Sequence, residues 1–266
     1  MRRVLFWGLA ALLVVLLTVV FSLPAAWLTP LIEKQTHGRL TLGDPEGTLW
    51  RGSAFAGAID ATGTDSAGGG SMAALAPLLP GRFHWTLSPL ALIGVIDARI
   101  DNPDTLDHTL TITGSWREWQ LGAASLMLPT DRLAALGAPL NTVKPSGQMR
   151  LSWPALSLRT QAQGLSVTGR MQLQLTDIAS ALSPVKPLGA YRLQFDWQGE
   201  QAQLTLSTMS GPLLMEGSGV IVNGRLQFSG QAWAQPGQEQ RLAILLNLLG
   251  QRRQIGNRNV IALEFK

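Results

Sequence analysis

The stretch YRLQFDWQGEQAQLTLSTM, residues 191–209, decides the fold class. On both sides of Gly199, apolar side chains alternate with Arg, Gln, Asp, Thr and Ser. Successive side chains of a β-strand point to opposite faces of its sheet, so this pattern predicts two strands that each have one buried and one wetted face. Gly199 supplies turn chemistry between them. The stretch therefore predicts neighbouring strands of a meandering antiparallel sheet.

The same alternation recurs along most of the chain, in segments of about 8–12 residues that Gly or Pro separates. In the C-terminal part it occurs in VTGRMQLQLTDI (167–178), LLMEGSGVIV (213–222), GRLQFSGQAW (224–233) and NVIALEFK (259–266). Upstream it occurs at Leu40 and Leu42, at Phe83, Trp85 and Leu87, and in residues 93–101, 107–113 and 148–163. The predicted fold class is mainly β.

Two short segments break the alternation and predict helices. TDRLAALG (130–137) offers a polar N-cap, an apolar pair and a closing Gly. In QEQRLAILLNLLGQRR (238–253) the apolar side chains fall at helical spacing, and Gly250 is a natural C-terminal cap. The spaced leucines are Leu242, Leu245, Leu246 and Leu249. We expect one or two short helices beside the strands.

The N-terminal segment predicts a membrane helix. Residues 4–23 (VLFWGLAALLVVLLTVVFSL) carry no charge, and as a helix they would span about 30 Å, the thickness of the hydrocarbon core of a bilayer. Arg2 and Arg3 precede the segment, whereas Glu33 and Lys34 after it cancel each other. The positive-inside rule then predicts a cytoplasmic N-terminus, with the bulk of the chain in the periplasm.

The membrane segment is expected to stay attached as an uncleaved signal anchor. It is longer than the apolar region of a signal peptide, which is followed by small residues at positions −3 and −1. Cleavage after Ala25 would place Leu23 at −3, and cleavage after Ala26 would place Pro24 there. Neither residue suits a signal peptidase, although the sequence SLPAAW (22–27) leaves cleavage open.

These features divide the chain into four predicted parts. Residues 1–3 form a cytoplasmic tip, 4–23 the single-pass inner-membrane helix, 24–38 a juxtamembrane linker, and 39–266 a periplasmic β-rich domain. Within that domain, the stretch near 61–80 is rich in Gly, Ser and Ala and is predicted to be a flexible insertion.

Composition argues against nucleic-acid binding and against disulfide or cysteine-metal chemistry. The chain contains no cysteine, and its formal net charge is only +4 although its pI is near 10. A nucleic-acid-binding protein gathers basic residues on one face beside aromatic rings. Here the basic residues are scattered, and the densest group is Arg252, Arg253 and Arg258.

The sequence offers no recognisable catalytic, cofactor or metal site. His37, His84 and His108 lack metal-ligand spacing, and no Gly-x-Ser-x-Gly elbow occurs. Asp101 and Asp104 resemble a carboxylate pair, but they flank Asn-Pro and are better interpreted as parts of a turn. We therefore expect a protein that is not an enzyme and has no cofactor.

Five tryptophans outside the N-terminal segment lie in or at the ends of predicted strands: Trp50, Trp85, Trp153, Trp197 and Trp233. They could form an aromatic platform for a ligand, or they could pack as large rings in the sheet. Packing is the favoured interpretation.

Several short motifs occur in a distinctive order. They are Pro24 and Trp27 at the end of the anchor, GTLWRG (47–52), WTLSP (85–89), PSGQMRLSW (145–153), GAYRLQFDW (189–197), STMSGPLLMEGSG (207–219), FSG (228–230) and LLNLLG (245–250). In this order the motifs resemble type II secretion system protein N over nearly the whole chain. The Gly- and Ala-rich stretch at 61–76 looks like an insertion relative to that pattern.

The resemblance implies a minor inner-membrane component of the machinery that moves folded periplasmic proteins across the outer membrane. Its implied partners are the other type II secretion subunits, both inner-membrane components and the outer-membrane secretin. It supplies no catalytic residues. The family is also similar to AsmA-like envelope proteins, which implies an elongated, curved and open antiparallel sheet with an apolar inner face.

Two functions of different classes remain open. In the first, exposed strand edges bind secretion subunits through main-chain hydrogen bonds. In the second, the apolar face of the sheet handles or transfers envelope lipid. The two differ in whether the helices at 130–137 and 238–249 cover that face or leave it open.

Overall fold

Antiparallel strand pairing dominates the computed structural model of the protein, which confirms the mainly β prediction. The structure describes residues 2–36, 40–58, 76–77, 79–130, 145–161, 164–222, 224–255 and 258–265. Most of the predicted insertion near 61–80, the predicted helix from residue 131 onward, and His37 lie outside these residues.

Among the residues that the structure describes, the helices are few, and two of them lie near the N-terminus. They are α1 (Arg2–Phe21), α2 (Leu28–Gln35) and α3 (Glu239–Leu249), with 3₁₀ turns at Ala25–Trp27 and Pro89–Ile93. Within the part of the chain that the structure describes, no helix combines the length and the apolar character needed to cross a membrane.

The strands follow the predicted alternating segments closely. They are β1 (Leu40–Gly47), β2 (Arg51–Ala58), β3 (Ala76–Pro77), β4 (Phe83–Leu87), β5 (Val95–Asp101), β6 (Leu110–Ser115), β7 (Glu118–Leu121), β8 (Ala124–Pro129), β9 (Pro145–Trp153), β10 (Leu156–Gln161), β11 (Gly164–Ser180), β12 (Gly189–Gly199), β13 (Gln201–Ser210), β14 (Leu213–Val222), β15 (Arg225–Ala234), β16 (Gln251–Ile255) and β17 (Arg258–Phe265).

The chain forms two units, of which the first comprises residues 1–104 and 111–115. In this first unit, β2 pairs with β1, β3 and β4, and β4 also pairs with β5. The predicted turn after β5 is confirmed. The amide of Asn102, which is fully buried, donates from Nδ2 to the Pro80 carbonyl, and its Oδ1 accepts from the Asp104 N–H.

The second unit comprises residues 105–110 and 116–266 and contains the larger open sheet. Its long strand β11 pairs with β12 on one side and with both β10 and β9 on the other. Strands β7 and β8 extend this second side by pairing with β10 and β9. In the other direction the order is β12, β13, β14, β15, β17, β16.

Cross-strand register separates an apolar from a polar face in the second unit. Directly opposed residues of antiparallel strands share a face, and one such row is Leu126, Leu151, Leu173, Leu193, Leu206, Gly217, Gly230 and Leu263. The adjacent row on the opposite face is Ser152, Gln172, Gln194, Thr205, Ser218, Ser229 and Glu264. The alternation in the sequence thus becomes two chemically distinct surfaces.

Helix α3 packs against the apolar face. Leu242, Leu245 and Leu246 are buried in one cluster with residues of β12 to β15 and β17, and Leu249 packs against that cluster. Burying a leucine side chain fully contributes about 1.5–3 kcal/mol, so the helix is held by these contacts more than by its own hydrogen bonds. The predicted helical leucines are therefore confirmed.

The residues after α3 behave differently from the sequence prediction. Gly250 ends the helix in an extended conformation, with φ 170°, and not in the left-handed conformation typical of a C-terminal glycine. A Cβ at this position would overlap the carbonyl oxygen of Ala262. The chain continues at once into β16, an edge strand that the sequence pattern did not reveal because its residues Gln251–Gln254 are all polar.

Tyr191 is the largest fully buried side chain of the apolar cluster, with 1% of its surface exposed. Its hydroxyl donates to the carbonyl of Leu213 at 3.0 Å, and burial raises the pKa of the phenol far above its ordinary value of 10.0. The folded state thus favours the neutral phenol, since an unfolded chain would ionise first.

We predict that the stability contributed by Tyr191 is complete below pH 10.0 and falls as the pH rises further, because only the unfolded state ionises readily there. The chain contains a single tyrosine, so phenolate absorbance reports this group alone. Absorbance should appear together with loss of structure by circular dichroism. In Tyr191→Phe, the free energy of unfolding should fall by about 1 kcal/mol at neutral pH. Ionisation of Tyr191 in the intact fold would contradict the prediction.

Candidate functional site

The motif GTLWRG forms the tip of the β1–β2 hairpin in the first unit. Gly47 and Gly52 are directly opposed in the register, and the Thr48 N–H donates to the Arg51 carbonyl at 2.8 Å. Gly47 has φ +84°, and a Cβ there would lie 2.5 Å from the Arg51 carbonyl oxygen. The first glycine of the motif is therefore needed for the turn itself.

This hairpin tip is bonded to the C-terminal end of α1. The indole Nε1 of Trp50 donates to the Val20 carbonyl at 2.8 Å, and the Leu49 N–H donates to the Leu23 carbonyl at 2.8 Å. The ring of Phe21 lies 6.2 Å from that of Trp50. Carbonyls in the last turn of a helix lack hydrogen-bond donors within the helix. The indole N–H of the buried Trp50 is the donor for one of these carbonyls, that of Val20.

A second tryptophan, from the motif WTLSP, braces the same tip from the other side. The indole Nε1 of Trp85 donates to the Leu49 carbonyl at 3.1 Å, and the Leu87 N–H donates to the Trp50 carbonyl at 2.7 Å. A Cβ on Gly52 would overlap the Trp85 ring and lie 2.6 Å from the Glu46 carbonyl oxygen. We call this joint of helix end, hairpin tip and Trp85 the helix–hairpin junction.

A charged cleft lies beside the helix–hairpin junction. Arg51, Thr86 and Arg99 are directly opposed on β2, β4 and β5, so their side chains share one face. The cleft has a volume of about 570 Å³, and its lining includes Phe21, Trp50, Arg51, Pro89, Asp97 and Arg99. Within the described residues, neither guanidinium group makes an ion pair.

Arg82 ties the base of the same hairpin together. Its guanidinium lies 2.6 Å from a carboxylate oxygen of Asp44 and 2.9 Å from one of Glu46, and it stacks 4.8 Å from the centre of the Phe55 ring. Both acidic side chains are well exposed, so each ion pair contributes at most about 1 kcal/mol. The network orients the hairpin and has no substrate-binding geometry.

Neither of the two described histidines lies in a group of potential metal ligands. His84 is exposed on β4, and His108 is exposed beside Asp107, with 3.4 Å between Nδ1 and the carboxylate. No group of three or more potential metal ligands occurs among the described residues. The absence of catalytic, cofactor and metal residues stays a prediction of the sequence.

Two of the five tryptophans are packed, as the favoured interpretation states. Trp50 and Trp153 are buried, and the Trp153 indole donates to the Gly122 carbonyl at 2.9 Å. Trp85, Trp197 and Trp233 are half-buried.

The apolar face of the second unit is filled where α3 lies on it. The helix covers the sheet around Leu206, Phe228 and Ile261, each of which is buried. The second helix predicted to cover this face, at 130–137, lies outside the described residues from residue 131 onward. The helix therefore occupies the apolar face beside β15 and β17, whereas Leu126, Leu151 and Leu173 at the other end of the row are half-buried.

The family model of type II secretion system protein N matches residues 38–260. The chain belongs to this family. Membership associates it with type II secretion and makes other components of that system its partners. Neither the curated proteins nor the solved structures include a significant match to the chain.

The motifs of this protein N family member are now explained by packing. In the glycine-rich motif of β14 and in FSG of β15, the ring of Phe228 lies over Gly217, Gly219 and Gly230, where any Cβ would collide with the ring or the neighbouring backbone. GTLWRG and WTLSP form the helix–hairpin junction in the same manner. The sequence alone does not show the purpose of GTLWRG and WTLSP, because only strand pairing brings these two motifs together.

We predict that Trp50→Phe in this protein N family member weakens the helix–hairpin junction by about 1 kcal/mol, because the ring stays while the bond to Val20 is lost. Trp119→Phe is the matched control. Its half-buried indole N–H has no hydrogen-bond partner among the described residues. Denaturant unfolding of the full chain in detergent, with hydrogen exchange at residues 18–23, measures the difference. Equal losses in both variants would refute the role of this bond.

Proposed function

We propose that this chain is a non-enzymatic inner-membrane component of the type II secretion apparatus. In this proposal, residues 4–23 anchor it as a single-pass protein, with the N-terminus in the cytoplasm and the bulk in the periplasm. The β-rich part binds other subunits of the apparatus and supports export of folded periplasmic proteins across the outer membrane. The family match over residues 38–260 carries the proposal.

The anchor is supported by the composition and exposure of α1. Residues 4–23 contain no charge, and large side chains of the helix face outward, with Phe6 68% and Trp7 71% exposed. Exposed apolar surface on this scale is unfavourable in water and is satisfied in a bilayer. The helix–hairpin junction would carry the position of the anchor directly to the first strands.

Binding of other subunits is supported by the edge strand β16. Among the described residues, β17 is the sole strand paired with β16, so one edge is available for a strand from another chain. Residues Gln251–Gln254 are exposed, and the guanidinium of Arg253 lies 3.1 Å from Glu264 on the polar face. Addition of a strand would use main-chain hydrogen bonds, which need no deep pocket.

Lipid transfer along the apolar face is not the function that the structure favours. A transfer groove needs a continuous open apolar surface, whereas Leu242 and Leu245, with 0% and 2% exposure, close the stretch of the face beside β15 and β17. Removing the helix to admit an acyl chain would expose the buried cluster and cost several kcal/mol.

We predict that deletion of this protein leaves secreted substrates in the periplasm. Full-length protein should restore export. A version whose residues 4–23 are replaced by a cleavable signal sequence should not restore it, since the domain is then released from the membrane. The assay compares substrate in the medium and in the periplasm. Unchanged export of every substrate in the deletion strain, with no co-purification of other secretion subunits, would disprove the proposal.

We predict that β16 contacts another secretion subunit. Photo-crosslinking residues placed at Gln251 and Gln254 in intact cells should give adducts with that subunit. Gln203 serves as the matched control, because it is equally exposed but lies on β13, which is paired on both sides. Adducts of the same kind and yield from all three positions would show that the edge has no special role.

A further inference from the structure

An exposed apolar turn follows β4 in the first unit. Leu90 is 53% exposed, Leu92 52%, Ile93 74% and Val95 48%. Scattered apolar residues on a surface are ordinary, but four large apolar side chains exposed within six residues are a candidate interaction site. We call residues 89–95 the apolar turn.

The apolar turn is built to hold its side chains outward. The Leu90 N–H donates to the Ser88 hydroxyl at 3.3 Å, and the Gly94 N–H donates to the Ala91 carbonyl at 3.2 Å. The Ser88 N–H donates to the Asp97 carbonyl at 2.8 Å, which closes the base of the turn. A local hydrogen-bond frame therefore fixes the exposed conformation without burying the apolar side chains.

The apolar turn lies beside the end of α1. Pro89, its first residue, lines the same cleft as Phe21 of the helix and Trp50 of the hairpin tip. Leu87, which leads into the turn, is hydrogen-bonded to Trp50 through its N–H, and Trp50 is bonded to the helix. Two successive hydrogen bonds, from Leu87 to Trp50 and from Trp50 to α1, therefore connect the apolar turn to the point at which the proposed anchor would leave the bilayer.

Two arginines and an exposed tryptophan lie near this point, and both residue types are common at membrane interfaces. Arg51 and Arg99 lie in one row on β2 and β5, about 10 Å apart at two strand spacings. Neither forms an ion pair among the described residues, and Asp97 is the one acidic residue in the lining of their cleft. Trp27, just after α1, is 66% exposed. Arginines bind lipid phosphates, and indole rings favour the headgroup region.

We propose that the apolar turn is a second membrane contact, which rests on the anchor proposed above. Leu90, Leu92 and Ile93 enter the periplasmic leaflet beside the end of α1, while Arg51 and Arg99 meet lipid phosphates. The first unit is then held at two points and keeps a fixed orientation on the bilayer. This contact is with the membrane surface and involves no lipid transfer.

The native chain lacks cysteine, so single cysteines can carry a fluorescent label without background. Leu92→Cys tests the apolar turn, Val15→Cys tests α1, and Leu165→Cys on β11 is the control, with 52%, 59% and 45% exposure at the native residues. Each full-length variant is reconstituted into vesicles of phosphatidylethanolamine and phosphatidylglycerol that contain spin-labelled lipid. Quenching is expected at positions 15 and 92, at least about threefold stronger than at 165.

The outcomes separate the two proposals. Quenching at 15 but not at 92 would overturn the apolar-turn contact while leaving the anchor intact, and it would point to a protein partner for the turn. No quenching at 15 would overturn the anchor, and the membrane contact with it. In Leu92→Cys, adding Arg51→Gln and Arg99→Gln should lower quenching by about twofold or more. Unchanged quenching would refute the role of the arginines.

Discussion

Register between neighbouring strands is the constraint on which both units depend. Because side chains alternate with a period of two, a slip of one residue would move every apolar side chain to the polar face. In the second unit the register aligns Leu193 with Leu206 and thereby builds the surface on which α3 packs. In the first unit it aligns Arg51 with Thr86 and brings Trp85 over Gly52. Core and candidate site are thus consequences of the same pairing rule.

The helix–hairpin junction fixes the end of α1 to the β1–β2 hairpin. A helix followed by a free linker would leave the sheet able to rotate relative to the helix. Here the chain after α1 is bonded to the hairpin at Leu23, while the Trp50 indole satisfies a carbonyl of the last helical turn. A buried donor and a helix-end acceptor satisfy each other, so separating them would leave both without partners. This reciprocity explains why the motif combines a tryptophan with two glycines.

The two faces of the second unit have different physical roles. Helix α3 and the large apolar side chains of β12 to β15 and β17 form one buried cluster, so this part of the apolar face belongs to the core. The polar face and the edge at β16 are exposed and hold no comparable cluster among the described residues. An edge strand binds a partner strand through main-chain hydrogen bonds, so its side chains need not follow a recognisable sequence pattern.

The sequence by itself determined the mainly β class, most strands, the leucines of α3, the turn at Asn102 and the family, because alternation, helical spacing and turn chemistry are local properties. It did not reveal β16, whose first four residues are all polar, or the extended conformation of Gly250. Nor could it assemble the junction, since Val20, Trp50 and Trp85 are separated by about thirty residues each and no local pattern couples them. Only strand pairing brings these three residues together. It also places Arg51 and Arg99 in one row and builds the apolar face on which α3 packs. The physical reason is that contacts between distant segments depend on register and packing, which emerge when the whole sheet forms.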